Sequence, residues 1–182
     1  LGGRPGCVAV GEIGLDYHYD YSPRPAQREA FAAQLDLAGR LDMPVVIHTR
    51  EAFEDTLAVL VECGFDAGRT VFHSFTGGPA DVRRLLDLGA WISYSGIATF
   101  KRTGDIRAGA ALVPPERIMV ETDAPFLAPE PVRNMKVNEP ANVAHVAACL
   151  AAARGEPAEA FAGQAAANAE RFFALDAAAA GA

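Results

Sequence analysis

The sequence predicts an α/β fold in which a parallel sheet is covered by helices on its outer face, and its polar punctuation points to a barrel. Short β-type apolar runs alternate with amphipathic helical stretches along all 182 residues, the rhythm of successive βαβ units. GEIGLD at 11–16, after the first run, is neither G-x-G-x-x-G nor a Walker loop, so the phosphate cradle of a doubly wound nucleotide fold is missing. Several strands lead instead into a metal-type ligand, and in a barrel such strand ends converge on one axial mouth.

The elements come in order. CVAV at 7–10 reads as a buried strand ended by GEIGLD. Residues 25–41 place Phe31, Leu35 and Ala38 at i, i+4 and i+7, one face of a helix, with Pro25 suited to its first turn. PVVI at 44–47 is the next strand. A helix over 52–62 sets Phe53, Leu57, Leu60 and Val61 on one side and is stopped by Gly64. TVF at 70–72, a helix from Pro79 to before Gly89, and AWISYS at 90–95 repeat the pattern. A short helix over 104–112 leads to RIMV at 117–120, and from Pro140 the chain is Ala-rich and helical. There Val143, Ala147 and Leu150 form a stripe, and Phe161, Phe172 and Phe173 supply bulk. No composition break divides the chain, so 1–175 is expected to be one domain and DAAAAGA, 176–182, a flexible tail.

A hydrophobic content of 51% excludes intrinsic disorder and a disulfide-stapled mini-protein. Sixteen Lys and Arg against 23 Asp and Glu give a net charge of -7, which excludes coating of nucleic acid by a general basic surface. A phosphate partner therefore needs a local cationic device. Cys7, Cys63 and Cys149 form no C-x-x-C pair, so a zinc finger and a disulfide framework are unsupported and a reducing compartment is the default. No apolar run reaches the roughly 20 residues of a bilayer span and no signal-peptide pattern opens the sequence, so a soluble cytoplasmic protein without a membrane partner is expected.

The chemistry lies at the strand ends. CVAV is followed by Glu12, PVVI by His48, TVF by His73, and RIMV by Glu121, Thr122 and Asp123. A lone histidine after a strand is more often a rim residue than a ligand. Two of only four histidines at equivalent positions, with carboxylates at two more, outweigh that reading. Two imidazoles and two carboxylates suit a divalent ion such as Zn²⁺ or Mn²⁺, and metal-assisted hydrolysis is the chemistry such a set supports. His18, in the loop after Glu12, could line the mouth, whereas His145, within a helical stretch, reads as structural.

GEIGLDY (11–17), PVVIHTREAFEDTL (44–57), VFHSFTGG (71–78), ISYSGIATFK (92–101), ETDAPFLAPEPVR (121–133) and NEP (138–140) together resemble the TatD family of metal-dependent deoxyribonucleases. The resemblance implies a (β/α)8 TIM barrel of the metal-dependent hydrolase type, two divalent ions (Zn, Mg or Mn), and hydrolysis of DNA phosphodiesters, single-stranded or at ends. Carried over by motif, Glu12, His48, His73 and Asp123 are the implied metal ligands, with Glu12 shared between the ions. Asp123 is the implied catalytic residue, orienting or deprotonating the attacking water. Arg50 and Arg133 are possible phosphate contacts and equally ordinary surface cations. Asp16, Tyr17 and Ser74 could orient the ligands, and Glu121 supports Asp123 or caps its strand end. Phe75, Phe100 and Phe126 offer stacking surfaces or core bulk.

The chain departs from the family pattern at RNMKVNEP, where a glycine is usual after the arginine and the spacing to NEP is shorter. It also contains no H-x-H, the pair that supplies two ligands of one ion in the family. A full barrel has eight strands and about 250 residues. Five strands and a start at Leu1 lead us to expect only the last five βα units here, with three more, on the order of 70 residues, ahead of them. The second ion site is then incomplete, turnover is slow, and an exposed sheet edge invites pairing between copies, which leaves the oligomeric state open. Two other readings stand beside this one. The same ligands could serve a small ester, lactone or amide, or the chain could be a non-catalytic barrel remnant that acts by binding.

Overall fold

A computed structural model describes residues 6–175. The expected tail over 176–182 lies outside the described residues. They form two compact units, residues 6–73 with 171–175, and residues 74–170. The first unit carries β1 (Val10–Asp16), α1 (Arg24–Arg40), β2 (Val45–Arg50), α2 (Phe53–Glu62) and β3 (Thr70–Phe72). The second carries α3 (Pro79–Asp87), β4 (Trp91–Tyr94), α4 (Gly104–Ala110), β5 (Ile118–Val120), α5 (Val143–Arg154) and most of α6 (Ala158–Phe173). Within the first unit β1 pairs with β2 and β2 with β3, and within the second β4 pairs with β5, all parallel. No helix of the described residues is long and apolar enough to cross a membrane.

The expected face of α1 is buried as its spacing predicts: Phe31, Leu35 and Ala38 lie against the first unit's sheet. Side chains of β2 alternate as a pleated strand requires. Val45, Ile47 and Thr49 face the helices, where the Thr49 hydroxyl meets that of Thr56 on α2 at 3.0 Å. Val46, His48 and Arg50 therefore share the opposite face. On α2 the buried side comprises Thr56, Leu57, Val59 and Leu60, whereas Val61, expected among them, is 67% exposed. The arc is centred on Thr56 and Leu60, which lie four apart, and Val61 falls outside it.

The largest difference from the sequence reading is at β1. Cys7, Val8 and Ala9 lie outside the strand, and GEIGLD, expected to end it, is its body. Ile13 and Leu15 are the buried positions. The glycines there serve close approach and not a turn. A Cβ on Gly14, at φ +137°, would stand 2.0 Å from the His48 carbonyl oxygen. Between the pairs Val10↔Val45 and Ile13↔Ile47 the register slips by one residue, a bulge of the kind that re-aims a side chain, and Glu12 sits in it. The reading of β2 as ending at Ile47 is likewise corrected, because the Gly14↔His48, Leu15↔Thr49 and Asp16↔Arg50 pairs continue the ladder. Glu12 and His48 thus belong to strands and not to the loops after them.

In the second unit Ile92, Tyr94, Ile118, Val82, Leu85, Leu150 and Phe161 form the core. A buried asparagine, Asn168 of α6, donates to the carbonyls of Pro115 and Ile118 and so fastens that helix to the entry of β5. A Gly14→Ala substitution combines backbone strain with a clash against a carbonyl. It should cost about 3 kcal/mol or more. A thermal melt should show Tm lower by roughly 6–12 °C for a chain of this size; a variant melting with the parent would refute the close-approach account.

Candidate metal centre

Three side chains on the helix-free face of the first unit meet at their donor atoms. Glu12 Oε1 lies 2.9 Å from His48 Nδ1 and 3.0 Å from His73 Nε2, and the two nitrogens are 3.4 Å apart. Donors held about 2.1 Å from a tetrahedral ion stand roughly 3.4 Å from one another. The triangle therefore fits a divalent ion with a slight opening. Side-chain exposure rises from 11% at His73 through 29% at His48 to 51% at Glu12. Sites with three protein donors are the pattern of catalytic metal centres, whereas structural ones have four.

His48 is aimed from behind. Its Nε2 lies 3.0 Å from Asp16 Oδ2, so an N–H donated there leaves the Nδ1 lone pair pointing into the triangle. The sequence places Asp16 among the ligand-orienting residues, and it has that geometry. Its other oxygen, Oδ1, accepts the backbone N–H groups of His18 and Tyr19, each at 2.9 Å. Gln27 of α1 completes the arrangement, accepting the Asp16 N–H and donating to the Asp16 and Ser22 carbonyls. Tyr17 turns away from the triangle, and its hydroxyl donates to Asp55 of α2. His18 pairs with Glu51 at 2.7 Å on the surface.

Charge obeys the same geometry. Hydrogen bonds from His48 and His73 hold the Glu12 carboxyl far below the usual carboxylate range. The bond to Glu12, reinforced by Asp16, pushes His48 above the ordinary imidazole value against the opposing effect of burial. Burial pushes Asp16 up, but its bonds from the Tyr19 N–H and His48 outweigh that and leave it lowered. His48 lies between two carboxylates, Glu12 at Nδ1 and Asp16 at Nε2.

The other expected residues are in the second unit. Asp123, three residues past β5, is half-buried at φ +56°, a left-handed conformation in which Asp is more at ease than most residues. Its loop is held by a residue to which the sequence reading gives no role. Asn138 is 4% exposed and donates to the Thr122 and Phe126 carbonyls at 2.9 and 2.7 Å. Its N–H donates to Pro125, and its Oδ1 accepts from Glu139 N–H and the Asn142 amide. One buried amide thus brackets Asp123 from both sides. Glu121 accepts the Ser74 N–H at 2.8 Å and the Ser93 hydroxyl at 2.7 Å, fixing the residue next to His73 in the chain. The Ser74 hydroxyl in turn meets that of Ser95.

Arg133 lies 3.8 Å over the Phe100 ring and 3.9 Å from Glu130, and Arg50, ending β2, lies 4.9 Å over the Tyr19 ring. Phe75 is core at 3% exposure, whereas Phe126 is 69% exposed. Among the described residues Glu12, His48 and His73 make up the cluster able to hold an ion.

Comparison with known proteins identifies relatives of the chain. A family model, TatD related DNase, matches residues 3–174. The chain is 42% identical over 177 residues to the uncharacterized metal-dependent hydrolase YcfH of Escherichia coli K12, covering 97% of this chain and 66% of that protein. It is 38% identical over 180 residues to the 3'-5' ssDNA/RNA exonuclease TatD of Klebsiella pneumoniae, covering 97% of this chain and 68% of the other. The crystal structure of YJJV, a TatD homolog from E. coli K12, superposes with a TM-score of 0.83 at 32% identity over 91% of this chain and 63% of that one. The chain thus spans about two thirds of the length of these three proteins.

Two outcomes are expected. Asn138→Ala should cost about 2–3 kcal/mol, because several buried partners lose their bonds together. Amide exchange in residues 122–126 should speed up with it; unchanged protection there would remove Asn138 from its bracing role. The second outcome concerns pH in the presence of a chelator. Glu12, lowered from 4.5, contributes stability in full above that value and loses it as pH falls through its folded value. His48, raised from 6.5, contributes in full below that value and loses it as pH climbs through its folded value. The cluster's contribution should therefore be greatest between 4.5 and 6.5 and decline on either side. Melts of the parent and His48→Ala across pH test this, and parallel curves would refute it.

Proposed function

The chain belongs to the TatD related DNase family, and from that premise we propose that it is a metal-dependent hydrolase of nucleic-acid phosphodiester bonds, acting at the Glu12, His48 and His73 triangle. The observation that carries the proposal is the convergence of one carboxylate and two imidazole nitrogens within 3.4 Å, with Asp16 orienting His48 from behind. A divalent ion bound there would supply Lewis acidity, acidifying water and drawing charge from a phosphoryl oxygen. Zinc, manganese and magnesium all accept this donor set, and a second ion is proposed in keeping with the family, at a site that this chain, which has no H-x-H, supplies only in part.

The residues themselves divide the work. Glu12 stays ionised and offers its carboxylate oxygen throughout the physiological range. His48 would offer its Nδ1 lone pair to the ion, and Asp16 holds its Nε2–H in place. Asp123 is proposed to take the proton of the attacking water and return it to the leaving alkoxide, a part that a carboxylate can play. Arg50 and Arg133 are proposed to meet substrate phosphates. Concentrating cationic charge at one centre explains how a chain of net charge -7 could act on a polyanion. The exonuclease name of the Klebsiella relative supports single-stranded DNA or RNA, cut from an end, as the substrate.

Labelled single-stranded oligonucleotides, small esters and lactones, each offered with Zn²⁺, Mn²⁺ or Mg²⁺, test the reading. Cleavage confined to the oligonucleotides and abolished by chelator is expected. Asp123→Asn should lower that rate by roughly 100-fold or more, the usual scale for removing a general base. Ester or lactone hydrolysis without phosphodiester cleavage would replace this reading with the small-substrate one, and an unchanged rate in Asp123→Asn would remove its proposed role.

A further inference from the structure

We propose that Tyr19 and Tyr21, in the loop between β1 and α1, form a stacking platform for an unpaired base of single-stranded nucleic acid beside the metal centre. The inference rests on the phosphodiesterase reading above and assigns a substrate contact that reading leaves open.

The two rings stack on each other at 5.3 Å between centroids with 9° between planes. Tyr21 is nonetheless 89% exposed and Tyr19 53%, so the outer face of the pair stands in solvent. An exposed tyrosine is unremarkable by itself. What sets this pair apart is that Tyr19, the ring on which Tyr21 stacks, is itself held. Arg50 lies 4.9 Å over the Tyr19 ring, His18 meets that ring edge-on at 5.0 Å, and Arg24 braces Tyr17 from 4.3 Å. Gln27 grips the loop at the Asp16 and Ser22 carbonyls. A ring array fixed before a ligand arrives loses little freedom on binding, which is how rigid aromatic side chains gain affinity.

The platform is also in register with the chemistry. Asp16 accepts the Tyr19 N–H through Oδ1 and His48 through Oδ2, so one carboxylate ties the loop and the donor triangle together. Beside the rings lies a cavity of ≈ 280 Å³ lined by Asp16, Tyr19, Asp20, Tyr21, Ser22 and Gln27. The charges nearby are mixed, Arg24 and Arg50 against Asp20 and Glu51, so the surface cannot attract a polyanion by field alone. Stacking does not need it to. A π-face is read without charge and without regard to base identity. Only an unpaired base presents a free face, so the platform favours single strands over duplex.

Binding of labelled oligothymidylate and of an abasic oligonucleotide of equal length to the 182-residue chain tests this. The parent should favour oligothymidylate by roughly 10-fold, within the range that one base–aromatic stack contributes. Tyr21→Ala should abolish that preference and Tyr21→Phe should keep it, with both melting like the parent because the side chain is exposed. Preference retained in Tyr21→Ala, or absent in a parent that still cleaves oligonucleotides, overturns the platform alone. A parent that neither binds nor cleaves them overturns the phosphodiesterase reading as well.

Discussion

Asp16 ends β1 with both carboxylate oxygens committed, one to the His48 ring and one to two backbone amides of the adjoining loop. The strand reaches that position because Gly14 lets it lie against the His48 carbonyl closer than any side chain permits. Removing the carboxylate would therefore do more than weaken one hydrogen bond. It would free the His48 tautomer, release the loop and leave Glu12 facing an unaimed imidazole. Ligand orientation and loop order are coupled through one group, and both depend on the close pairing of β1 with β2.

Electrostatically the centre is built to hold positive charge inside an acidic protein. Glu12 and Asp16 flank His48 from two sides, and their pull is strong enough to raise its affinity for a proton despite burial. The same field would favour a divalent ion. The net charge of the chain at large is -7, which favours solubility.

Much of this is legible in the sequence because the signals are periodic. Phe31, Leu35 and Ala38 announce the buried face of α1, and β-type runs locate the strand cores of β2 to β5. The three donors of the triangle are among the ligands inferred from strand ends. β1 is misplaced because glycines ordinarily read as punctuation, and nothing local distinguishes a glycine at a turn from one that admits a neighbouring strand. Val61 misleads because three apolar positions fit either side of a short helix arc. Asn138 is invisible for a different reason: a buried asparagine has no periodic signature, and its value lies in partners 12 and 16 residues away. The tyrosine pair gives way to phenylalanines in a reading by residue type, since exposure cannot be read from composition.

The clamp at Asn138 has a bearing on how this protein can vary. Leu127 is pressed against Gly96, whose absent Cβ would stand 1.8 Å from the Leu127 carbonyl oxygen, and the Thr99 hydroxyl accepts the Glu130 N–H. Both ends of residues 131–137 are thus anchored independently of the residues between them. Closing a loop between fixed ends costs only about 0.6 kcal/mol for each doubling of its length. The segment can be lengthened without disturbing the turn that carries Asp123. Its two ends are fixed mounts, so change between them by drift or by design falls on side chains such as Arg133 and spares the backbone around Asp123.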